Sequence, residues 1–149
     1  EELSRGMSRL SLGAMLLFTF PGSPTVFYGD EAGMQGFEDP LNRGTYPWGK
    51  ENETLFSLYC ALGQLRASRR SLQEGSLKYL TAQDGLLVFS RALGEEITLT
   101  ALNAGDQPTE LTLPWPGSSA RDAVTSQQFL AQGGQLHLLL PPLSGMVLI

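Results

Sequence analysis

The sequence predicts an α+β chain: the end of a (β/α)8 barrel, arranged as helix–strand–loop–helix, followed by an all-β antiparallel sandwich. The first 74 residues hold two helical patterns around one short apolar run, and from Gly75 onward the apolar period shortens to that of strands. The front strand has no parallel neighbours within the 149 residues, whereas a complete barrel takes roughly 250 residues. The chain is therefore expected to be the C-terminal piece of a larger protein.

An amphipathic helix is predicted over residues 3–20. Its apolar residues recur at spacings of three and four, the signature of one buried face: Leu3, Met7, Leu10, Ala14 and Leu17. Pro21 and Gly22 end this helix. The run that follows, residues 25–28, is β-prone and apolar on both faces, as in a barrel strand that is covered on both sides.

Residues 32–50, rich in glycine and proline, are predicted to form a long loop, and long ordered loops often carry function. A second helix is predicted from about residue 52 to residue 71, with Asn52 as its N-cap. Cys60, the single cysteine, falls within this helical pattern and leaves no internal disulfide. We expect it to be buried as a small hydrophobic residue.

The second half is predicted to be an antiparallel β-sandwich, because short apolar or alternating runs follow one another with turn residues and no helices between them. The predicted strands cover residues 77–80, 86–92, 97–102, 110–113, 135–140 and 146–149. The expected domains are therefore residues 1–74, the C-terminal end of the barrel, and residues 75–149, the sandwich.

Composition limits the classes of partner. A net charge of −5 and a pI near 4.8 disfavour a nucleic-acid partner, and the apolar runs are too short to span a membrane. No Cys/His/Asp cluster has metal spacing, and no glycine-rich phosphate loop follows a strand, so we predict no metal and no cofactor. The opening Glu-Glu-Leu-Ser lacks a basic leader, which leaves localisation undecided, with the cytoplasm as the default expectation.

Three sequence blocks between Gly22 and Trp48 carry a resemblance to a known family. They are Pro-Thr-Val-Phe-Tyr-Gly-Asp-Glu-Ala-Gly-Met at 24–34, Asp-Pro-Leu-Asn-Arg at 39–43 and Tyr-Pro-Trp-Gly at 46–49. They resemble the eighth barrel strand and following loop of the α-amylase family of glycoside hydrolases. Within it, the chain is most similar to the neopullulanase, cyclomaltodextrinase and maltogenic-amylase branch. The likeness is sharp over residues 13–76 and looser over 77–149.

The resemblance implies a retaining hydrolase that acts on the α-glucosidic bonds of starch, maltodextrin or cyclodextrin. Such an enzyme needs a nucleophilic carboxylate and a carboxylic acid, and the family adds a third carboxylate that stabilises the transition state. In the family these residues follow barrel strands four, five and seven, all upstream of this chain. His137, the only histidine, does not belong to the family's Asn-His-Asp motif. We therefore predict no catalytic residue here and no activity of this chain alone.

Asp39, Arg43 and Trp48 are the predicted substrate-binding residues. A carboxylate and a guanidinium four residues apart form a fork suited to sugar hydroxyls; the alternative is a surface salt bridge that only shapes the loop. Trp48 and Tyr46 offer faces for sugar stacking, or else anchor the loop, and Phe37 fits either role. Adjacent Asp30 and Glu31 point in different directions, so we expect them to tie the strand end to neighbouring loops.

Two alternatives to a barrel end with a sandwich stay open. The first is a free-standing carbohydrate-binding module that uses Trp115 as its sugar platform. The second is a structural β-sandwich with no ligand. For the favoured interpretation, the partners are an α-glucan oligosaccharide in the full enzyme and the missing N-terminal barrel. Uncovered barrel surfaces would favour homo-oligomers.

Overall fold

The computed structural model describes residues 2–36 and 38–149. Three α-helices, α1 (Glu2–Thr19), α2 (Glu53–Ser68) and α3 (Arg70–Glu74), and a 3-10 turn (Leu41–Arg43) make up the first half. Eight strands make up the second half: β1 (Ser76–Gln83), β2 (Leu86–Leu93), β3 (Glu96–Asn103), β4 (Thr109–Pro114), β5 (Ser119–Arg121), β6 (Gln128–Leu130), β7 (Gln135–Leu140) and β8 (Ser144–Leu148).

Helices α1 and α2 form where the sequence predicts them. Helix α1 stops before Pro21, but its buried face is not the predicted one: of the predicted residues only Ala14 is buried, and Leu3 is 55% exposed. The buried side chains are Leu12, Ala14, Met15, Phe18 and Thr19. Helix α2 starts after Asn52, whose side-chain oxygen accepts the Leu55 N–H at 3.0 Å. This N-cap satisfies one of the amide groups that a helix start leaves without an intrahelical partner.

The second helix breaks at Arg69, where the sequence predicts continuity to residue 71. Arg69 adopts an extended backbone with φ −111° and ψ 112°. Its guanidinium reaches strand β3, donating from Nε to Thr98 Oγ1 at 2.8 Å and from Nη2 to the Ile97 carbonyl at 2.7 Å. Contacts with the β half therefore override a local helical pattern, which periodicity alone does not reveal.

The strands form a four-stranded antiparallel sheet in the order β1-β2-β3-β8 and two pairs, β4-β7 and β5-β6. Tight turns join the first three strands, and the β2–β3 register places Phe89 opposite Thr100. The four-stranded sheet packs on the β4-β7 pair as a sandwich around one core. The antiparallel prediction is thus confirmed; the short strands β5 and β6 were not predicted, because their three residues carry too little alternation.

Strands β3 and β8 of the four-stranded sheet are buried on both faces, whereas the edge strand β1 is largely exposed. Along β8, Met146 and Leu148 belong to the core between the sheets, whereas Val147 between them belongs to a second core with the helices. Strand alternation requires this division. The second core joins residues from both halves of the chain: Leu12, Ala14, Met15, Phe18, Leu58, Tyr59, Leu62, Leu65, Leu72, Leu102 and Val147.

Two predictions for the first half were wrong. Residues 25–28 lie outside any strand, and Phe27 is 75% exposed, because the described residues offer this segment no parallel neighbour with which to hydrogen-bond. Cys60 is exposed, since it lies on α2 toward the same uncovered face instead of toward the second core. Among residues 2–36 and 38–149, no helix is long and apolar enough to cross a membrane.

Candidate functional site

A tight turn at Gly29–Gly33 begins the candidate site. Gly29 has a φ of +86°, and a Cβ at this position would collide with the side chain of Met34, so the turn requires glycine. The carbonyl of Ala32 accepts the Asn52 N–H at 2.9 Å, which fixes the turn to the start of α2. The turn therefore holds the two carboxylates of Asp30 and Glu31 at one rigid point.

Two tyrosines, Tyr46 and Tyr59, lie near these carboxylates. Burial, and then the charge of Glu31, raise the pKa of Asp30. Burial on α2, followed by the charges of Asp30 and Glu31, raises the pKa of Tyr59 to about 12. Burial and a hydrogen bond to Glu31 raise the pKa of Tyr46. The phenols of Tyr46 and Tyr59 therefore stay protonated beside the two carboxylates.

An aromatic ladder runs along the loop from Tyr28 through Tyr46 to Trp48. The ring centroids of Tyr28 and Tyr46 are 6.0 Å apart, and those of Tyr46 and Trp48 are 4.6 Å apart. The Tyr28 hydroxyl also lies 3.5 Å from the Gly44 carbonyl. Trp48 ends the ladder with 81% of its surface exposed. It thus rests on Tyr46 while offering most of its indole to solvent, so anchoring and stacking are compatible roles.

Asp39 and Arg43 meet as an exposed ion pair. Arg43 Nε lies 2.6 Å from Asp39 Oδ1, and the side chains are 75% and 59% exposed for Arg43 and Asp39. The 3-10 turn sets their spacing, with the Arg43 N–H donated to the Pro40 carbonyl at 3.1 Å. An ion pair this exposed contributes roughly 0–1 kcal/mol to stability, so both groups are accessible to a ligand at little cost to the fold. Phe37, between this pair and the turn in sequence, lies outside the described residues.

An apolar groove of about 390 Å³ lies beside the turn. Its walls come from the extended segment and from α2, and they include Val26, Phe27, Phe56, Tyr59 and Cys60. Sequence reasoning missed Tyr28 and Tyr59 as members of this site. Adjacency to Gly29-Asp30 was an available signal for Tyr28, whereas only the fold brings Tyr59 to the carboxylates.

The side chains of Trp115 and His137 both bind groups within the β half. Trp115 is 7% exposed, and its indole N–H donates to the Ser119 carbonyl at 2.8 Å, so its ring is not available as a sugar platform. His137 Nδ1 lies 3.1 Å from Thr112 Oγ1 across the β4-β7 pair. Within the described ranges, no group of three or more His, Cys, Asp or Glu residues could hold a metal ion.

Comparison with known proteins covers both halves of the chain. The family described as "Maltogenic Amylase, C-terminal domain" matches residues 77–147. The chain is 32% identical to a cyclomaltodextrinase of Geobacillus thermopakistaniensis over 140 residues, which are 90% of this chain and 24% of that protein. It is 29% identical to an amylopullulanase of Thermoanaerobacter thermohydrosulfuricus over 158 residues, which are 96% of this chain and 11% of that protein.

A solved structure agrees with these relatives. An α-amylase from Anoxybacillus superposes with a TM-score of 0.84 at 29% identity, over 95% of this chain and 32% of that one. The chain thus spans about a tenth to a third of the length of these proteins. The resemblance drawn from the sequence blocks is confirmed: residues 77–147 match the maltogenic-amylase C-terminal domain, and the relatives and the solved structure to which the chain is similar are enzymes of the α-amylase family.

Proposed function

We propose that this chain is the C-terminal part of a retaining α-glucan hydrolase, with residues 1–74 as the end of its catalytic barrel and residues 75–149 as its trailing sandwich. The catalytic carboxylates lie outside the chain, which is inactive alone. The relatives are named amylopullulanase and cyclomaltodextrinase, and the proposed substrates are accordingly α-glucans of the starch, maltodextrin or cyclodextrin type. The sandwich supports the barrel through the second core.

The observation that carries this proposal is the extent of the structural match. The α-amylase superposition covers 95% of the chain, so it includes α1, the site loop and α2 as well as the sandwich. A match to the sandwich alone would have fitted a transferable module equally well. A shared arrangement of both halves favours an integral part of the enzyme instead.

The exposed segment 26–28 supports the barrel assignment. Val26, Phe27 and Tyr28 are 38%, 75% and 55% exposed, although apolar side chains of this size each gain about 1.5–3 kcal/mol on full burial. Neighbouring parallel strands would pair the backbone of this segment, and the remaining layers of a barrel would cover its side chains. The remainder of the barrel, supplied by the longer polypeptide, is the proposed partner of this face.

Asp39, Arg43 and Trp48 are the proposed glucan contacts. The exposed ion pair presents carboxylate and guanidinium groups suited to vicinal sugar hydroxyls. Trp48, supported on one side by Tyr46, offers an apolar plane to the face of a glucose ring. These residues bind and orient the glucan, while the bond-breaking groups come from elsewhere in the barrel.

The experiment compares two double variants in the longer enzyme. Asp39→Ala with Arg43→Ala removes the candidate contacts, and Arg70→Ala with Glu74→Ala removes an equally exposed i,i+4 ion pair far along the chain. We expect the first to raise KM for maltoheptaose about tenfold, as for losing hydrogen bonds to charged groups, and the second to leave KM unchanged. Equal KM values for both would refute the glucan contacts.

An unchanged KM in the Asp39→Ala, Arg43→Ala enzyme would favour the ligand-free structural alternative. The predicted inactivity of the chain alone is tested with the 149-residue chain itself. We expect no release of glucose or maltose from maltoheptaose by this chain and no calorimetric binding tighter than millimolar. Hydrolysis by the chain alone would overturn the proposal. The binding-module alternative is disfavoured, because it relied on Trp115, which is buried with its N–H satisfied.

A further inference from the structure

Two arginines from other elements bind the C-terminal end of α1. Arg66 on α2 donates from Nη1 to the carbonyls of Phe18 at 2.9 Å and Phe20 at 3.1 Å, and from Nη2 to the Gly22 carbonyl. Arg91 on β2 donates from Nη1 to the Thr19 carbonyl at 3.0 Å. Four carbonyls at or just beyond the end of α1 thus receive donors from two distant parts of the chain.

Donors nearby in sequence reach only earlier carbonyls of α1: the Phe20 N–H is donated to the Leu16 carbonyl and the Thr19 hydroxyl to the Met15 carbonyl. The last four carbonyls of any helix lack intrahelical partners and carry a partial negative charge. The last turn of α1 contains no basic residue, and Pro21 provides no N–H. The two guanidiniums, which come from distant parts of the same chain, therefore cap the C-terminal end of α1 and offset the partial negative charge of its dipole.

Arg91 also binds the entrance to the sandwich. Its Nε and Nη2 donate to the Gly75 carbonyl at 3.2 Å and 2.9 Å, next to the start of β1. The planar fork thus spans from the junction between α3 and β1 to the end of α1, which only an arginine does with fixed geometry. Gly75 is packed tightly here: a Cβ would lie 2.8 Å from the Ala92 carbonyl oxygen.

The guanidinium of Arg91 is a buried charge, and such a charge is costly unless hydrogen bonds compensate it. Arg91 is 2% exposed, and no carboxylate forms a salt bridge with it among residues 2–36 and 38–149. Burial, and then the neighbouring Arg66, lower the pKa of Arg91, yet a guanidinium stays charged at neutral pH. A buried charge held by carbonyls alone loses its compensation when those carbonyls move.

We propose that Arg66 and Arg91 form a clamp by which α2 and the sandwich position the end of α1 and the turn at 20–23, which leads into the 24–31 segment. The two arginines bind backbone carbonyls, so the clamp positions the backbone at residues 18–22 and does not depend on which side chains these residues carry. The clamp is inferred from the structure of the chain alone and does not depend on the proposed function.

The test is site-resolved amide hydrogen exchange on the 149-residue chain. Arg91→Lys retains the charge but lacks the fork, and Arg66→Lys tests the second arm. We expect the last-turn amides 17–20, including the Phe20 N–H that is donated to the Leu16 carbonyl, to exchange about five- to tenfold faster in each variant, as for loss of a helix cap. Amides in the first two turns of α2 should stay within about twofold of wild type.

Arg70→Lys on α3, whose exposed partner is Glu74, serves as the control and should change neither region. Circular dichroism identifies any variant that does not fold, and the more exposed Arg66→Lys then decides the outcome. Unchanged exchange at 17–20 in a folded variant would overturn the clamp. A uniform increase across all elements would overturn it as well, since that pattern reports lost global stability alone.

Discussion

Two phenylalanines show how differently the halves of this molecule are completed. Phe89 on β2 is fully buried and packs edge-on against Phe20 with centroids 5.7 Å apart, whereas Phe27 in the extended segment is 75% exposed. The β4-β7 pair and the helices cover the two faces of strands β3 and β8 in the four-stranded sheet. The site half presents apolar side chains and an aromatic ladder to solvent. The apolar core of the β half is thus buried by the chain itself, whereas several apolar side chains in the site half remain exposed.

Replacing each phenylalanine by alanine tests this contrast most strongly. We expect Phe89→Ala to lower the free energy of unfolding by about 3–5 kcal/mol, because it leaves a cavity in the core. Phe27→Ala should change it by less than about 0.5 kcal/mol, as for an exposed residue. Urea denaturation of the isolated chain measures both. A large loss for Phe27→Ala would mean that this segment is already packed.

Two aspartates extend the comparison to charged groups. Asp122 is buried and accepts the N–H groups of Val124 and Val147 as well as the Thr125 hydroxyl at 2.6 Å. Asp122→Ala should cost about 2–3 kcal/mol, since these donors lose a charged acceptor. Asp39→Ala, in the exposed ion pair, should cost less than about 1 kcal/mol. Comparable losses for the two would contradict the division of roles.

Glu96 tests the junction between the halves by its pH dependence. Glu96 Oε1 accepts the Ser71 N–H at 2.5 Å, and hydrogen bonds from Ser71 lower the pKa of Glu96 in the folded state. A lowered carboxyl pKa stabilises the fold above the unfolded-state pKa, and the contribution is lost as pH falls through the folded-state pKa. Thermal unfolding of Glu96→Gln should therefore show a shallower loss of Tm than wild type between pH 6 and pH 3. Parallel curves would refute this.

The smallest expected effect concerns two threonines on the helix-facing side of β3. Thr100 Oγ1 is buried with no hydrogen-bond partner among the described residues, whereas Thr98 Oγ1 binds both Arg69 and Ser71. Thr100→Val should raise the free energy of unfolding by up to about 1 kcal/mol, and Thr98→Val should lower it by about 1–2 kcal/mol. Destabilisation by Thr100→Val would reveal an unrecognised partner of its hydroxyl.

Sequence patterns were sufficient to predict the helices and strands whose apolar periodicity matches their environment in the fold. The first helix, the start of α2 at Asn52 and the six longer strands all follow from spacing and capping. The break at Arg69 did not follow, because its cause is a pair of acceptors on β3. The exposure of Phe27 and Cys60 did not follow either, since an apolar pattern predicts a covered face without saying which chain segment covers it.

The candidate site was predictable in composition and not in arrangement. Asp39, Arg43 and Trp48 stood out by residue type and by resemblance, and the structure joins the first two as an ion pair. The support of Trp48 by Tyr46, and of Tyr46 by Tyr28, depends on how the loop folds back beside the turn at Gly29. Their role in binding a glucan stays a prediction until the double variants are measured.

The close approach of β8 to α1 has a consequence for synthesis on the ribosome. Gly145 lies directly against Met15 and Leu12, more than a hundred residues earlier, and Val147 completes their core. Contacts of such long sequence separation form late and slowly. Helix α1 therefore keeps part of its apolar face open during synthesis until β8 has emerged. We expect nascent chains stalled before residue 144 to be bound by chaperones along α1, and to be released once β8 has been synthesised and packs against α1.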